Sequence, residues 1–277
     1  MPELPEVETI CKSLTPYLIN KTIQNVTCQW IRSIAPQKWK TFQSQIIGFK
    51  IINILRYGKF IILENSSLDW IAIHLRMTGQ LIVPQIIPKS SPHERMRFIF
   101  ENHIILQFLD QRKFGRIWYI PKPDQPYFKP ITQLGPDALD PYLTTKKFCS
   151  LIQTHKRQIK PLLLDQTIIA GLGNIYVDES LFLSQIHPQS LSHKIPRLNL
   201  QKLLRSIRYV LKKSITYQGT TFRDYRTARG EKGGFFSKLT VYGRTHQPCH
   251  HCHHKIIKIK TAQRGTHLCL NCQKLYN

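Results

Sequence analysis

The chain has 277 residues, of which 40 are Lys or Arg and 16 are Asp or Glu, so its formal net charge is +24. Hydrophobic residues make up 42% of it, which excludes a basic disordered tail and indicates a folded protein long enough for two domains. The charge alone would also suit a very soluble or a ribosome-associated protein. In a folded protein it favours nucleic acid as the partner, because each neutralised phosphate releases counterions.

Neither a secretion signal nor a membrane span is predicted. The first residues include three glutamates and no basic segment ahead of an apolar run, unlike a signal peptide. The longest apolar candidate, 162–177, contains Asp165, and four of the seven cysteines lie in the last 29 residues. That distribution suits a reducing compartment and one metal site. We therefore expect a cytoplasmic protein that does not engage a membrane.

The N-terminal half predicts one helix followed by a β-sandwich. Apolar residues recur at helical spacing from Val7 to Leu18, directly after Pro5. From Ile46 to Ile120 the chain turns to short runs of β-branched and aromatic residues separated by turn residues, which is typical of hairpins. The predicted strands are 51–55, 60–63, 70–75, 98–100, 104–109 and 117–120.

The C-terminal half predicts helices and a loop. Six prolines between Pro121 and Pro141 mark a linker. Helices are predicted at 146–154, 162–165, 175–185 and 198–217. Residues 219–235 hold four glycines and several basic side chains, Arg223 among them, which indicates a mobile loop. The predicted domains are 1–130, a catalytic β-sandwich; 131–238, a helical DNA-binding domain; and 239–277, a zinc finger.

Four cysteines near the C-terminus have the spacing of a structural zinc site. Cys249 and Cys252 are two residues apart, as are Cys269 and Cys272, and sixteen residues separate the pairs. Each pair can place two thiolates on one tight turn, and two pairs complete a tetrahedron. Four neighbouring histidines could each replace a thiolate, and the symmetric four-cysteine set is the simpler prediction. The residues between the pairs predict a basic hairpin, with Arg264 on its return arm or turn.

The start of the chain suggests a catalytic amine. A small residue after Met1 permits removal of the initiator, which would expose the secondary amine of Pro2. An α-amino group has a pKa of roughly 7.7–8.0, so part of it is a free nucleophile near neutral pH, able to form a Schiff base with a sugar carbon. Glu3 could shuttle protons. Taken alone, the same residues would be an ordinary proline ahead of a helix.

The opening Pro2-Glu3-Leu4-Pro5-Glu6-Val7-Glu8-Thr9 resembles that of the bacterial formamidopyrimidine-DNA glycosylases. Further motifs follow in the family's order: Tyr57-Gly58-Lys59-Phe60, His74-Leu75-Arg76-Met77-Thr78-Gly79, Asp110-Gln111-Arg112-Lys113-Phe114-Gly115, Ala170-Gly171-Leu172-Gly173-Asn174-Ile175-Tyr176, and Val241-Tyr242-Gly243-Arg244 ahead of the finger. The resemblance implies an α+β multidomain fold: an N-terminal β-sandwich with flanking helices, then a helical helix–two-turn–helix domain and a β-hairpin zinc finger.

The resemblance also implies an activity: base excision from damaged double-stranded DNA by a monomeric enzyme with one structural zinc, followed by β,δ-elimination at the same site. Oxidised purines such as 8-oxoguanine and formamidopyrimidines are the implied substrates. Pro2 matches the Schiff-base nucleophile, Glu3 the acid/base residue, Lys59 a proton donor for β-elimination and Arg264 the residue assigned to δ-elimination. The implied DNA contacts are His74, Met77, His93, Arg112, Phe114, His155, Lys160 and Asn174, besides Lys59 and Arg264.

Three of these contacts match a wedge that fills the gap left by the flipped base: Met77, Arg112 and Phe114. Each apolar member taken alone would be read as core packing. His93 stands at a His-x-His position of the family that reads His93-Glu94-Arg95 here, and His155 replaces a basic contact five residues before Lys160. Two alternatives stay open: a sister enzyme for oxidised pyrimidines, and a zinc-ribbon nucleic-acid binder without catalysis.

Overall fold

The computed structural model describes residues 1–86, 91–222 and 224–277, so Arg223 lies outside the described residues. Two compact units divide the chain: 1–132 with 215–236, and 133–214 with 237–277. No helix among the described residues is both long and apolar enough to cross a membrane.

The first unit is a β-sandwich with helices at its flanks. One antiparallel sheet has the order β1-β6-β7-β5, and the other the order β2-β3-β4-β8. The strands are β1 (Ile23–Cys28), β2 (Asn53–Tyr57), β3 (Phe60–Glu64), β4 (Trp70–His74), β5 (Gly79–Ile82), β6 (Glu94–Phe100), β7 (Ile105–Asp110) and β8 (Arg116–Ile120). The helices are α1 (Leu4–Leu18), α2 (Trp39–Ile46) and α3 (Lys129–Thr132), with 3₁₀ turns at Ile31–Ile34, Glu101–His103 and Lys122–Tyr127.

One hydrophobic core holds this unit together and contains residues of both sheets and of α1. On α1, Val7, Ile10, Leu14 and Leu18 are fully buried, which is the face that the helical spacing predicts. Pro5 lies in the first turn, where its missing N–H has no helical partner to lose. The predicted sandwich and its first helix are therefore confirmed.

The second unit is helical and carries a two-stranded hairpin. Its helices are α4 (Thr145–Gln153), α5 (Ile159–Leu164), α6 (Asn174–Leu183) and α7 (Arg197–Thr216), with 3₁₀ turns at Ser192–Lys194 and Phe235–Lys238. The hairpin consists of β9 (Ile257–Thr261) and β10 (Arg264–Leu268). The boundary between the units falls in the last turn of α7 and again within the second 3₁₀ turn.

The units divide the chain differently from the three predicted domains. The segment 215–236, which includes the predicted mobile loop 219–235 and was assigned to the helical domain, belongs to the N-terminal unit. Ala228 is fully buried in that unit's core. Its carbonyl accepts a hydrogen bond from the Val83 N–H at 2.8 Å, and its own N–H donates to the Ser13 hydroxyl at 3.2 Å. These contacts anchor the segment, which hydrophilic composition alone did not indicate.

Candidate active site and zinc centre

The predicted nucleophile and acid/base residue lie directly ahead of α1. Pro2 is buried, and Glu3, the residue that precedes the helix, is 4% exposed. The backbone N–H of Glu3 donates to Oε2 of Glu6 at 2.8 Å, and the N–H of Val7 donates to the Glu3 carbonyl at 3.1 Å. The position of Glu3 is therefore fixed through its backbone.

Glu6 also connects this turn to the 215–236 segment. Its Oε1 accepts the backbone N–H of Thr220 at 2.7 Å. The neighbouring Gly219 has a φ of +84°, and a Cβ there would lie 3.0 Å from the same Oε1, so a left-handed turn and a close approach both require glycine. One buried carboxylate thus holds the first turn of α1 and the start of the glycine-rich segment.

Lys59 lies in the turn between β2 and β3 and is 6% exposed. Helix α1 packs on β2 through two contacts: Nε of Arg56 bonds Oε2 of Glu8 at 2.9 Å, and the Cys11 thiol contacts the Leu55 carbonyl. The contact nearer the start of the helix, at Glu8, is made to the later strand residue Arg56, and the contact further along the helix, at Cys11, is made to the earlier strand residue Leu55. The first turn of α1 is therefore directed toward the end of β2 that carries Lys59.

His74, at the end of β4, is held as a neutral imidazole. It is 8% exposed, and burial, together with the nearby positive charges of Arg76 and Lys59, lowers the pKa of His74 from 6.5 to about 3. The Arg76 backbone N–H donates to its Nδ1 at 3.1 Å, which assigns the proton to Nε2. His74 therefore offers a hydrogen-bond donor without a net charge.

The two wedge loops, residues 75–79 and 110–115, are joined at Asp110, which is 1% exposed. Its carboxylate accepts the Thr78 hydroxyl, the Arg112 N–H at 3.2 Å and the Gly115 N–H at 2.7 Å. The Thr78 hydroxyl in turn accepts the Arg112 N–H at 3.1 Å. A Cβ at Gly115 would collide with the Phe108 ring, so the loop closes on Asp110 only with glycine there.

The wedge side chains themselves stand out from this anchored base. Met77 is 41% exposed and Phe114 is 48% exposed, which excludes the core-packing alternative for both. The Arg112 guanidinium lies 4.8 Å from the centroid of the Phe114 ring. His93 is exposed, and its carbonyl accepts the Asp110 N–H at 2.8 Å. The first unit thus brings four predicted DNA contacts to one pair of loops and a neighbouring strand end.

Lys160, predicted as a DNA contact, is corrected by the structure. Its side chain is completely buried, and Nζ donates to Oδ1 of Asp178 at 2.6 Å and to the Gly265 carbonyl at 3.1 Å. Both partners lie in the second unit, Asp178 on α6 and Gly265 on β10. The resemblance placed this lysine near the flipped base, but a carboxylate 18 residues away along the chain holds its charge inside the protein.

Asn174 joins the same network at the first residue of α6. Its Nδ2 donates to the Gly265 carbonyl at 3.0 Å and approaches the Tyr242 hydroxyl at 3.4 Å. Asp178 also accepts the His267 N–H at 2.9 Å through Oδ2. The base of the hairpin strand β10 is therefore fastened to α5 and α6, and the exposed Arg264 at its start is presented from a fixed hairpin.

A second buried carboxylate, Glu179, fastens the segment ahead of the finger. It is 2% exposed, and its two oxygens accept the backbone N–H groups of Thr240, Val241 and Tyr242 at 2.8–2.9 Å. No role was predicted from the sequence for Glu179, Asp178 or the carboxylate of Asp110. The signal that could have revealed Asp178 and Glu179 is that two adjacent acidic residues stand inside α6, which is otherwise mostly apolar.

The four predicted zinc ligands converge. The Sγ atoms of Cys249, Cys252, Cys269 and Cys272 all lie within 4.8 Å of one another. Cys249 and Cys272 are 3.9 Å apart at sulfur, and Cys252 and Cys269 are 3.4 Å apart. A tetrahedral zinc with bonds of about 2.3 Å separates its sulfurs by about 3.8 Å, so these residues fit the ion. The neighbouring histidines are exposed and take no part in the group.

His155 lies at the end of α4 and is half-buried. Its Nδ1 is 2.9 Å from the Leu151 carbonyl, which leaves Nε2 as the ring nitrogen open to a further partner. Lys156 and Arg157 beside it are exposed. Contact of His155 with DNA stays a prediction.

Comparison with known proteins identifies the family. Three family models match: the formamidopyrimidine-DNA glycosylase N-terminal domain at residues 1–117, the H2TH domain of the same enzymes at 134–226, and a zinc finger found in FPG and IleRS at 247–275. The formamidopyrimidine-DNA glycosylase of Enterococcus faecalis is 42% identical over 99% of this chain and 98% of its own length. The chain belongs to the formamidopyrimidine-DNA glycosylase family.

Relatives and solved structures of this family agree with the fold. The formamidopyrimidine-DNA glycosylase of Lactobacillus helveticus is 38% identical over the full length of both chains. Wild-type Lactococcus lactis Fpg, solved with a DNA containing N7-benzyl-Fapy-dG, is 33% identical and superposes with a TM-score of 0.91, covering 99% of this chain and all of that one. MutM solved with a DNA containing carbocyclic 8-oxo-G is 31% identical, with a TM-score of 0.89 and coverage of 99% and 100%.

Membership of the formamidopyrimidine-DNA glycosylase family makes the chain a DNA-binding enzyme of DNA repair, with the glycosylase and lyase chemistry of that class. It also excludes the zinc-ribbon binder without catalysis. The cysteine group is a structural zinc site, since a finger of this family covers it. Four thiolate ligands leave no position for a catalytic water, so the ion holds the finger together.

Proposed function

We propose that this chain excises oxidised purines, 8-oxoguanine and formamidopyrimidines, from duplex DNA through a Schiff base on Pro2, and then nicks the strand by β- and δ-elimination. The observation that carries the proposal is the first turn of α1. Pro2 and Glu3 are both buried directly ahead of it, the backbone of Glu3 is fixed by Glu6, and the turn is directed toward Lys59.

The reaction follows from the chemistry of a secondary amine. With Met1 removed, the lone pair of the Pro2 nitrogen forms a bond to C1′, the glycosidic bond breaks, and its electrons leave with the base, which takes up a proton. Opening of the sugar ring gives an iminium ion, because a proline nitrogen has no second proton to lose. Glu3 adjoins this centre and is the residue that we assign to proton transfer.

The positive iminium acidifies the neighbouring C2′ proton. Loss of that proton expels the 3′ phosphate, and a second elimination expels the 5′ phosphate, so both phosphates remain on the nicked strands. Lys59 is the proposed proton donor in the first elimination and Arg264 the proposed participant in the second. Arg264 stands on a hairpin that Lys160, Asp178 and Asn174 hold in place.

Extrusion of the damaged base requires a grip on the backbone and a filler for the stack. His74, Asn174 and the cations supply donors for the phosphates next to the lesion. Met77, Phe114 and Arg112 are exposed on loops anchored at Asp110, as a wedge requires. We also propose that the glycine-rich segment 219–235 covers the extruded base, since its Thr220 N–H bonds Glu6 next to Pro2 and Glu3.

The relatives of this chain favour oxidised purines over oxidised pyrimidines as its substrates. Full-length relatives that are 42% and 38% identical carry the name formamidopyrimidine-DNA glycosylase, and two solved neighbours hold DNA with N7-benzyl-Fapy-dG or carbocyclic 8-oxo-G. We further propose that the enzyme acts as a monomer in the bacterial cytoplasm, at the nucleoid when bound to DNA.

The direct test compares cleavage of end-labelled duplexes that carry 8-oxoguanine, a formamidopyrimidine, an oxidised pyrimidine or no damage. We expect cleavage of the purine lesions with phosphate at both new ends, and at least tenfold slower cleavage of the pyrimidine lesion. Glu3→Gln should lose base excision more than nicking of a preformed abasic site, where a carbonyl is already exposed. Equal or faster cleavage of the pyrimidine lesion would assign the chain to the alternative substrate class.

A further inference from the structure

Lys113 occupies a strained position between two wedge residues. It follows Arg112, precedes Phe114 and adopts a φ of +60°, the left-handed region that a residue with a long side chain seldom enters. Arg76 takes the same conformation, with a φ of +53°, directly ahead of Met77. Each wedge loop thus turns its apolar side chain outward through a basic residue in a left-handed conformation.

The ammonium group of Lys113 does not extend freely into solvent. Its Nζ lies 4.3 Å from the centroid of the Trp30 ring, well within the range of a cation–π interaction. Arg32 approaches the same ring with its guanidinium carbon 5.6 Å from the centroid. The strained residue of the wedge loop is therefore attached to an aromatic ring on another part of the sheet.

The backbone on both sides of this contact is rigidly placed. Trp30 follows β1 and begins a 3₁₀ turn, where its carbonyl accepts the Ser33 N–H at 2.9 Å. The N–H of Gln29 donates to the Arg95 carbonyl at 3.0 Å, and Nε of Arg95 donates to the Asp110 carbonyl at 2.7 Å. Residues of β1, β6 and β7 thereby fix Trp30 and the start of the wedge loop relative to one another.

The indole N–H of Trp30 does not explain why tryptophan stands at this position. Its indole Nε1 is buried and has no hydrogen-bond partner among the residues that the structure describes. Burial of an unpaired donor is unfavourable, and a leucine or phenylalanine at this position would avoid it. What tryptophan supplies beyond these residues is the largest and most electron-rich ring, and both Lys113 and Arg32 lie within cation–π distance of it.

We propose that Trp30 is a positioning residue for base extrusion: its ring binds the Lys113 ammonium and so holds Phe114 in the outward orientation in which it fills the stack. The proposal rests on the proposed function, because it concerns the wedge that base excision requires. Trp30 acts through Lys113 and touches neither the lesion nor the reacting atoms.

The test uses four single variants of the full chain and the double variant Trp30→Leu/Lys113→Met. Trp30→Leu removes the aromatic face, Trp30→Phe keeps a weaker one, and Lys113→Met removes the charge while keeping the length of the side chain. Lys40→Met is the matched control, since it removes one exposed lysine of α2 that contacts no aromatic ring among the described pairs. Two readouts are needed: single-turnover excision of 8-oxoguanine, and fluorescence of 2-aminopurine placed beside the lesion, which brightens when the wedge unstacks it.

We expect Trp30→Leu and Lys113→Met each to slow excision about three- to tenfold, the range of a partly desolvated cation–π contact, and to reduce the 2-aminopurine signal. The double variant should be no slower than either single variant. Trp30→Phe should recover most of the rate, and Lys40→Met should match the wild type.

Three results would overturn the proposal: equal rates for Trp30→Leu and Trp30→Phe, additive losses in the double variant, or a loss of thermal stability that accounts for the whole effect. The 2-aminopurine measurement is repeated on a duplex with a tetrahydrofuran abasic analogue, which requires no catalysis. A wild type that unstacks this duplex but excises no purine would refute the proposed function while still testing the role of Trp30.

Discussion

The hydroxyl of Thr78 donates a hydrogen bond to the buried carboxylate of Asp110, 32 residues away. This bond joins the loop that presents Met77 to the loop that presents Arg112 and Phe114, and the Arg112 N–H bonds both partners. The wedge is therefore one unit with a buried polar base, and its parts should respond together to substitution.

Thr78→Val tests the hydrogen bond that joins the two loops. The substitution keeps the shape of the side chain but removes one donor from Asp110, so we expect the free energy of unfolding to fall by about 1.5–3 kcal/mol. Excision of 8-oxoguanine should slow more than binding weakens. Urea unfolding and single-turnover kinetics measure the two effects. Thr41→Val, at an exposed position of α2, is the control and should change neither; equal losses of binding and excision in Thr78→Val would contradict the account.

His74 should make the first unit sensitive to acid. Its pKa is lowered from 6.5 to about 3 in the folded protein, so below pH 6.5 the unfolded chain binds a proton that the folded chain does not. Stability contributed by the neutral ring is present above pH 6.5 and is lost as the pH falls toward 3. Between pH 7 and pH 5, His74→Gln should lose about 2 kcal/mol less stability than the wild type.

Urea unfolding at the two pH values, followed by tryptophan fluorescence, checks this difference. All four tryptophans, at positions 30, 39, 70 and 118, lie in the first unit. His103→Gln, at an exposed turn, should show the acid sensitivity of the wild type. If His74→Gln did so too, His74 would titrate in the folded protein and could not be the neutral donor described here.

Removing one partner of the buried Lys160–Asp178 pair should lower the stability of the second unit strongly. Both side chains are fully buried, so Lys160→Met leaves a carboxylate without its cation and should cost about 3–5 kcal/mol. Lys160→Met with Asp178→Asn should recover at least about 1 kcal/mol of that loss, because the buried charge is gone. Circular dichroism of the helices follows this unit, which contains no tryptophan.

A surface ion pair on the same unit provides the comparison. Arg157 and Asp165 lie 3.0 Å apart but are 48% and 29% exposed, so Arg157→Met should change stability by at most about 1 kcal/mol. A similar loss in Lys160→Met would show that the buried pair does not fasten the hairpin to α5 and α6.

Loss of the zinc should separate DNA binding from the folding of the first unit. Cys269→Ser removes one of four converging thiolates and should abolish the one-to-one zinc content measured by elemental analysis. DNA affinity should fall, while the tryptophan-detected unfolding transition stays that of the wild type. Wild-type protein without zinc, or a variant with unchanged affinity, would contradict the role given to the finger.

Local signals in the sequence predicted the elements that depend on local pattern. The helical spacing of α1, the apolar runs of β3 and β8 and the two cysteine pairs each appear in the structure at or within a residue of the predicted place. Strands β1 and β5 were missed because β1 buries only Ile23 and Val26, and β5 has four residues and begins with Gly79. Neither offers a run of apolar residues.

The interior polar groups could not be read from the sequence. The roles of Asp110 and Glu179 depend on backbone N–H groups that reach them only in the folded chain. Lys160 shows the same limit: the family resemblance implied a DNA contact, but its partner Asp178 is brought to it by the packing of α5 on α6. Spacing reveals which residue types lie near one another on one element, whereas these contacts join different elements.

Borohydride trapping tests whether Pro2 forms the proposed covalent intermediate with the damaged nucleotide. The enzyme is mixed with an 8-oxoguanine duplex and sodium borohydride, and the adduct is digested and located by mass spectrometry. We expect one reduced adduct, on the N-terminal peptide at Pro2, and no adduct when Met1 is retained or a residue is added ahead of Pro2, although that blocked protein still binds the duplex. An adduct on Lys59 or another lysine, or trapping undiminished in the blocked protein, would contradict this mechanism.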